Sequence, residues 1–167
     1  MSNDLKHLDD PGAQELLRSD QPLRLAYCGR DGLPRVIPIG FLWKGGKLVV
    51  CTAPSAPKVA ALNERPNVAV TIDTGNTSAT AKQLLIRGVA AIEIVDGVAP
   101  EYFEASAKTL SGTDLEEFEV QVRSVFEQQA RISIAPKWVR FYDFGAGRLP
   151  PFLRRLAEAD HDQAGAT

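Results

Sequence analysis

Between Leu23 and Val95 apolar and polar positions alternate in short runs, the period of half-buried strands. The runs are Leu23 to Cys28, Pro34 to Trp43, Lys47 to Thr52, Val68 to Ile72 and Lys82 to Val95. Gly29-Arg30-Asp31-Gly32 turns the chain between the first two, Lys44-Gly45-Gly46 makes a tight hairpin, and Gly75 to Ala81 is a polar loop. Pro38 inside the second run marks an edge, a bulge, or a stretch that needs no ladder partner. In the long run from Lys82 to Val95, Leu84, Ile86, Ala90, Ile92 and Ile94 mark a core face, with Gly88 in line. The opposite face carries Gln83, Leu85, Arg87, Val89, Ala91 and Glu93. That face is too apolar for plain solvent and predicts a covering helix or a second subunit.

Helical patterns punctuate these runs. Asp10-Pro11 predicts a short helix to about Ser19, with Leu16 and Leu17 inward. Ser55 to Glu64 predicts a second, with Ser55 as N-cap, Val59 and Leu62 inward, and Arg65-Pro66 ending it. Ala99 to Leu110 predicts a third. Thr113-Asp114-Leu115-Glu116 is a capping-box pattern that opens a fourth, whose stripe is Leu115, Phe118, Val122, Val125 and Phe126. A last strand is expected from about Ile132 to Phe144, interrupted by Pro136. The expected organisation is a single domain over residues 1–150, closed by Pro150-Pro151. A tail over 151–167 follows, helical at first and disordered from about Glu158. The class is mainly β with inserted helices (α+β): about six mostly antiparallel strands in a small closed or partly closed barrel.

Composition removes whole classes of function. A chain of 167 residues with 44% hydrophobic content can bury one good core. A net charge of −2 and a pI near 5.7 leave no basic footprint for nucleic acid. No apolar run approaches membrane-spanning length, which argues against membrane insertion, and the charged N-terminus has no signal-peptide pattern. Cytoplasmic localisation is the expectation. Cys28 and Cys51 are isolated and read as free thiols. His7 and His161, the two histidines, fall in polar terminal segments, which argues against a Ser-His-Asp or Cys-His arrangement and against ordinary zinc or haem ligation. Redox chemistry here would need a borrowed cofactor.

The stretch with chemistry to offer runs from Cys51 to Lys58. Ser55, Pro57 and Lys58 fall at the start of a predicted helix. A cation in a first turn is mildly unfavourable unless an anion lies near. Thr52, Ser55, the free amides and Lys58 would together make a phosphate-sized anion site. The alternative is a solvated lysine on a surface helix.

The ordered set Arg35-Val36-Ile37-Pro38-Ile39-Gly40-Phe41, Leu48-Val49-Val50-Cys51-Thr52, Ser55-Ala56-Pro57-Lys58, Leu62 to Pro66 and Leu84-Leu85-Ile86-Arg87-Gly88-Val89-Ala90 resembles the pyridoxamine 5′-phosphate oxidase-like split-barrel family. The likeness covers Leu23 to Val95 well and the last third weakly. It implies a six-stranded antiparallel Greek-key split barrel that binds FMN, or the deazaflavin F420, in a groove at a homodimer interface. Carried over, Arg35, Val36, Ile37 and Pro38 would lie along the ring. Val50, Cys51 and Thr52 would line the path to the phosphate, which Ser55 and Lys58 would hold. Gln83 would reach the ring or its side chain from the same or the partner subunit. Arg87, Trp138 and Arg140 are either further contacts or packing and interface residues. Trp138 to Asp143 lacks the histidine that pyridoxamine-phosphate oxidases proper use to hold substrate, and haem-degrading members also rely on histidine. The implied activity is hydride transfer with a small-molecule electron donor or acceptor. The alternatives are a non-catalytic flavin-binding or sensor protein, and a ligand-free barrel that serves as an interaction module. Tyr142 and Asp143 are acid–base candidates by position alone.

Overall fold

The computed structural model describes residues 4–156. Asp10 caps the first helix, α1 (Pro11–Arg18), by accepting the Gly12 N–H at 3.0 Å, and Pro11 fills the first helical position. Ala13, Leu16 and Leu17 face the core with at most 1% of their surface exposed. The strands are β1 (Leu23–Cys28), β2 (Pro34–Ile39), β3 (Leu42–Lys44), β4 (Lys47–Thr52), β5 (Asn67–Thr74), β6 (Lys82–Asp96) and β7 (Gln128–Asp143). They form one antiparallel sheet in the order β2-β1-β5-β6-β7-β4-β3.

The sheet therefore has seven strands and is open, where six in a barrel were expected. The difference has one source. The run from Pro34 to Trp43 breaks at Gly40-Phe41 into β2 and β3, which pair with different partners at opposite ends of the sheet. The two edges are thus joined by two residues of chain. Phe41 is 2% exposed at that junction, so its burial bends the strand where Pro38 has already removed a donor. Gly45 and Gly46 both adopt positive φ (58° and 74°) in the β3–β4 hairpin, a conformation glycine takes without a Cβ penalty.

The core face of β6 ends sooner than its alternation implies. Leu84, Ile86 and Ala90 are buried, but Ile94 is 48% exposed. β5 stops pairing at Asn67, opposite Val89, and leaves that end of β6 at an open edge. In β7, Pro136 stands opposite Gly88 at a bulge, just beyond the stretch that pairs with β4. A Cβ on Gly88 would lie 2.7 Å from the Ala135 carbonyl oxygen, so only glycine allows the two backbones this close. β7 itself begins at Gln128 rather than near Ile132 and ends at Asp143.

The helices show where local signals mislead. The second, α2 (Pro57–Glu64), begins after Ser55, and its cap position is Ala56, which makes no side-chain capping bond. The residue before a proline is pushed out of the helical region, so Ala56 is extended and the helix cannot start before Pro57. The third, α3 (Pro100–Ser106), is shorter than expected. The fourth, α4 (Gly112–Val125), starts from Ser111, and its Thr113–Glu116 capping box is absent. Of its predicted stripe only Val122 is buried; Leu115, Phe118 and Phe126 are half-buried and Val125 is 66% exposed. Phe118 and Phe126 attach the helix to the rest through the Tyr102 ring. Residues 151–156 form a helical turn after Pro150, and the expected disordered tail from Glu158 lies outside the described residues. No helix among the described residues is long and apolar enough to cross a membrane.

Candidate functional site

β2 is an edge strand. It pairs only with β1, in the register Tyr27↔Arg35, Ala26↔Val36, Leu25↔Ile37 and Arg24↔Pro38. Half of its backbone donors and acceptors therefore face away from the sheet and are open to a ligand. Strand parity then divides its predicted site residues between two faces. Arg35 and Ile37 share the inner face; Ile37 packs against the core, and Arg35 lies at its rim. Val36 and Pro38 point outward, and Val36 is 66% exposed.

On the inner side Arg35 opens into a cavity of about 470 Å³ with Tyr27, Arg30, Asp31, Ser55 and Pro57. Arg35 and Ser55 thus come together at the start of α2. Both arginines there already have acids: Arg35 pairs with Asp31 at 2.5 Å and Arg30 with Glu64 at 2.9 Å. The Leu33 N–H, then the Arg35 guanidinium, hold the Asp31 carboxyl below its ordinary range. Lys58 is half-buried in the first turn of α2 and has no acid partner among the described residues; loss of solvent lowers its pKa. It does not line the Arg35 cavity.

On the outer side Val36 lines a shallow groove of about 250 Å³ with Ala26, Ala69, Leu85, Arg87 and Trp138. The Arg87 and Arg140 guanidinium groups lie 4.4 and 4.6 Å from the Trp138 ring centre. Both are thus held against the indole by cation–π attraction. Gln83 is half-buried on this face, between Asp73 of β5 and Tyr142 of β7. Val50 is 1% exposed and belongs to the core, so its side chain is closed to any ligand.

Cys51 and Thr52 line a third space, a cavity of about 500 Å³ where β4 ends. Its other walls come from the end of α1, the β2–β3 junction and the α3 region. Burial, and then the Glu101 charge, push the Cys51 thiol up to about 11, which keeps it neutral and unreactive at ordinary pH. Glu101 in turn is held by Arg131 at 2.8 Å. The same cavity contains Lys108 and Phe41, which the sequence pattern did not single out. Nothing in the local sequence flags Lys108, since a lysine in the last turn of a predicted helix reads as solvent-facing.

The described residues contain no group of three or more histidine, cysteine or acidic side chains able to hold a metal. Among them the sole histidine is His7, whose Nδ1 accepts the Phe141 N–H at 3.3 Å. Burial and the charges of Arg140, Arg148 and Lys6 lower its pKa.

A family model described as pyridoxamine 5′-phosphate oxidase matches residues 10–143. A search among curated proteins returns no match. Among solved structures, a conserved hypothetical protein of Mycobacterium tuberculosis is 22% identical with a TM-score of 0.66, over 85% of this chain and 89% of that one. A protein named F420 reductase is 21% identical with a TM-score of 0.57, over 76% and 94%. HutZ, a haem storage protein of Vibrio cholerae, is 18% identical with a TM-score of 0.55, over 80% and 93%. The three structural likenesses establish the fold, and the match over residues 10–143 assigns the chain to the pyridoxamine 5′-phosphate oxidase family.

Proposed function

We propose that this protein is a flavin-type oxidoreductase that binds FMN or the deazaflavin F420 in a groove shared by two copies of the chain. The observation that carries the reading is the edge strand β2, whose two faces open into different spaces and whose outer backbone is unpaired. A phosphorylated ring system needs such a pair of surfaces: a flat, partly apolar wall with main-chain bonding groups, and a cationic end for phosphate. Val36, Leu85 and Trp138 supply the wall, and Arg35, Arg30 and Ser55 the polar end.

The half-exposed outer face of β6, with Leu85 and Val89, supports a second copy of the chain as its cover. Gln83 on that face would then reach a neighbour's ligand rather than its own. Lys58 adds a charge beside the first turn of α2, where an approaching phosphate restores what the ammonium lost on leaving water. A bound FMN or F420 supplies the hydride chemistry. The residues of this chain bind it, orient it and keep water from one of its faces.

Haem, suggested by the likeness to HutZ, has less support. The Nδ1 of His7 is occupied by the Phe141 N–H, and the surrounding cations oppose a positively charged centre. The test is turnover: reduced FMN or F420 mixed with the protein and a quinone or enone acceptor, followed by loss of the reduced cofactor. Oxidation above the protein-free rate supports an enzyme. Binding without turnover of any acceptor would leave a cofactor carrier or sensor.

A further inference from the structure

The cavity where β4 ends contains a feature that the flavin reading leaves unused. The Lys108 ammonium is buried and has no hydrogen-bond partner among the described residues. It lies 4.1 Å from the Phe41 ring centre. A cation–π contact offsets part of the lost hydration, but it satisfies none of the three N–H donors. Leaving a buried charge unsatisfied is costly, and such groups are retained where something pairs with them.

The walls indicate what that partner would be. Lys108 and Asp20 are the two charged residues that line this space, so the lining is neutral overall. Loss of solvent lowers the Lys108 pKa, and the Asp20 charge opposes that without making an ion pair with the lysine. Asp20 repels any anion, a dianion about twice as strongly, so a monoanion pairs with Lys108 at the smaller cost. Tyr102 and Phe126, both half-buried, supply aromatic surface around the same space, suited to a flat body, while Phe41 is buried and backs the Lys108 ammonium. We propose that this cavity binds a small flat monocarboxylate, its carboxylate on Lys108 Nζ and its apolar body between Tyr102 and Phe126.

Cys51 and Thr52 form another wall, so a ligand here lies beside the strand end assigned above to the cofactor path. That the carboxylate is the substrate rests on the flavin reading; that it binds does not. The experiment is calorimetric titration of the full chain, free of cofactor, with benzoate, phenyl phosphate and benzyl alcohol. Benzoate should bind saturably and more tightly than phenyl phosphate. Lys108→Met keeps the apolar stem and should weaken benzoate on the order of 10-fold or more, the loss of one charge-assisted hydrogen bond. Benzyl alcohol should bind both proteins alike, and Lys108→Arg should recover part of the benzoate affinity. In wild-type protein, benzoate should shift the amide resonances of Lys108, Thr109 and Tyr102, a readout independent of how the variants fold. Absent saturation, equal benzoate affinity in Lys108→Met, tighter phenyl phosphate, or shifts confined elsewhere would each overturn the proposal. FMN and F420 titrations of the same proteins separate the two claims: benzoate binding without cofactor binding would sink the flavin reading and leave this one standing.

Discussion

Two cavities touch the β2–β3 run, one at Arg35 and one at the Gly40-Phe41 break, and they treat positive charge in opposite ways. At the start of α2, Arg35 and Arg30 each have an acid within 2.9 Å and remain largely in water. At the end of β4, Lys108 has no acid partner among the described residues, and its ammonium is shut away from solvent. An exposed ion pair contributes little and can exchange a partner for a ligand at small cost. A buried lone ammonium is destabilising until something fills the space beside it. The first cavity suits a phosphate that competes with existing pairs. The second suits a ligand that completes an unfinished one.

The largest expected effect tests the phosphate role of Lys58, which stands in the first turn of α2 outside the lining of the first cavity. Lys58→Ala should weaken whichever of FMN and F420 binds by about 1.5–3 kcal/mol, on the order of 10- to 150-fold in Kd. Riboflavin, or the phosphate-free deazaflavin, should bind the variant and the wild type equally. Equal losses for both ligands would assign Lys58 a structural role, and no loss would put the phosphate elsewhere.

Next comes the ion pair that ties α3 to β7. Arg131 holds Glu101 at 2.8 Å, and the Glu101 side chain is 11% exposed. The Arg131 hydrogen bond, opposed by burial, holds the Glu101 carboxyl below its ordinary range. A depressed folded-state pKa means that the stabilisation is complete above the unfolded value of roughly 4.3 and lost as pH falls through the folded one. Glu101→Gln should cost about 1–2 kcal/mol in urea unfolding at pH 7. The difference from wild type should shrink below roughly pH 4; a difference that does not change with pH would mean the pair contributes nothing.

A smaller effect has the opposite sign. Lys108→Met removes a buried unsatisfied donor group while forfeiting a cation–π contact, so the ligand-free protein should gain about 1 kcal/mol in the same unfolding experiment. A loss of stability would show that the contact with Phe41, rather than a ligand site, explains the lysine. The smallest change is expected from Asp31→Asn. It frees Arg35 with little change in unfolding, and affinity for the phosphate-bearing cofactor should rise slightly; a fall would mean that Asp31 orients Arg35 rather than competing for it.

The strands were legible because alternation and turn residues agree. β1 and β4 have the bounds their patterns predict, and β5 buries Val68, Val70 and Ile72 as expected. The Gly40-Phe41 break was not legible, because a buried aromatic that bends a strand has the same hydropathy as one that continues it. Ser55 was misplaced as a cap because hydroxyl preference is a weaker constraint than the proline two residues on. The stripe of α4 has the right period, yet Val125 stays exposed, since periodicity identifies a face without supplying what covers it. In the candidate site, strand parity explains why Arg35 and Val36, neighbours in sequence, face different spaces. Lys108 depended on tertiary placement from the outset.

The most direct measurement is equilibrium titration of the purified chain with FMN and with F420, followed by the visible bands at roughly 450 and 420 nm. Sedimentation of the same sample would run alongside. The account predicts saturation by one of the two cofactors at one molecule per chain, in a particle of twice the 18.1 kDa chain mass. Failure of both to saturate, or binding confined to an 18.1 kDa monomer, would contradict it.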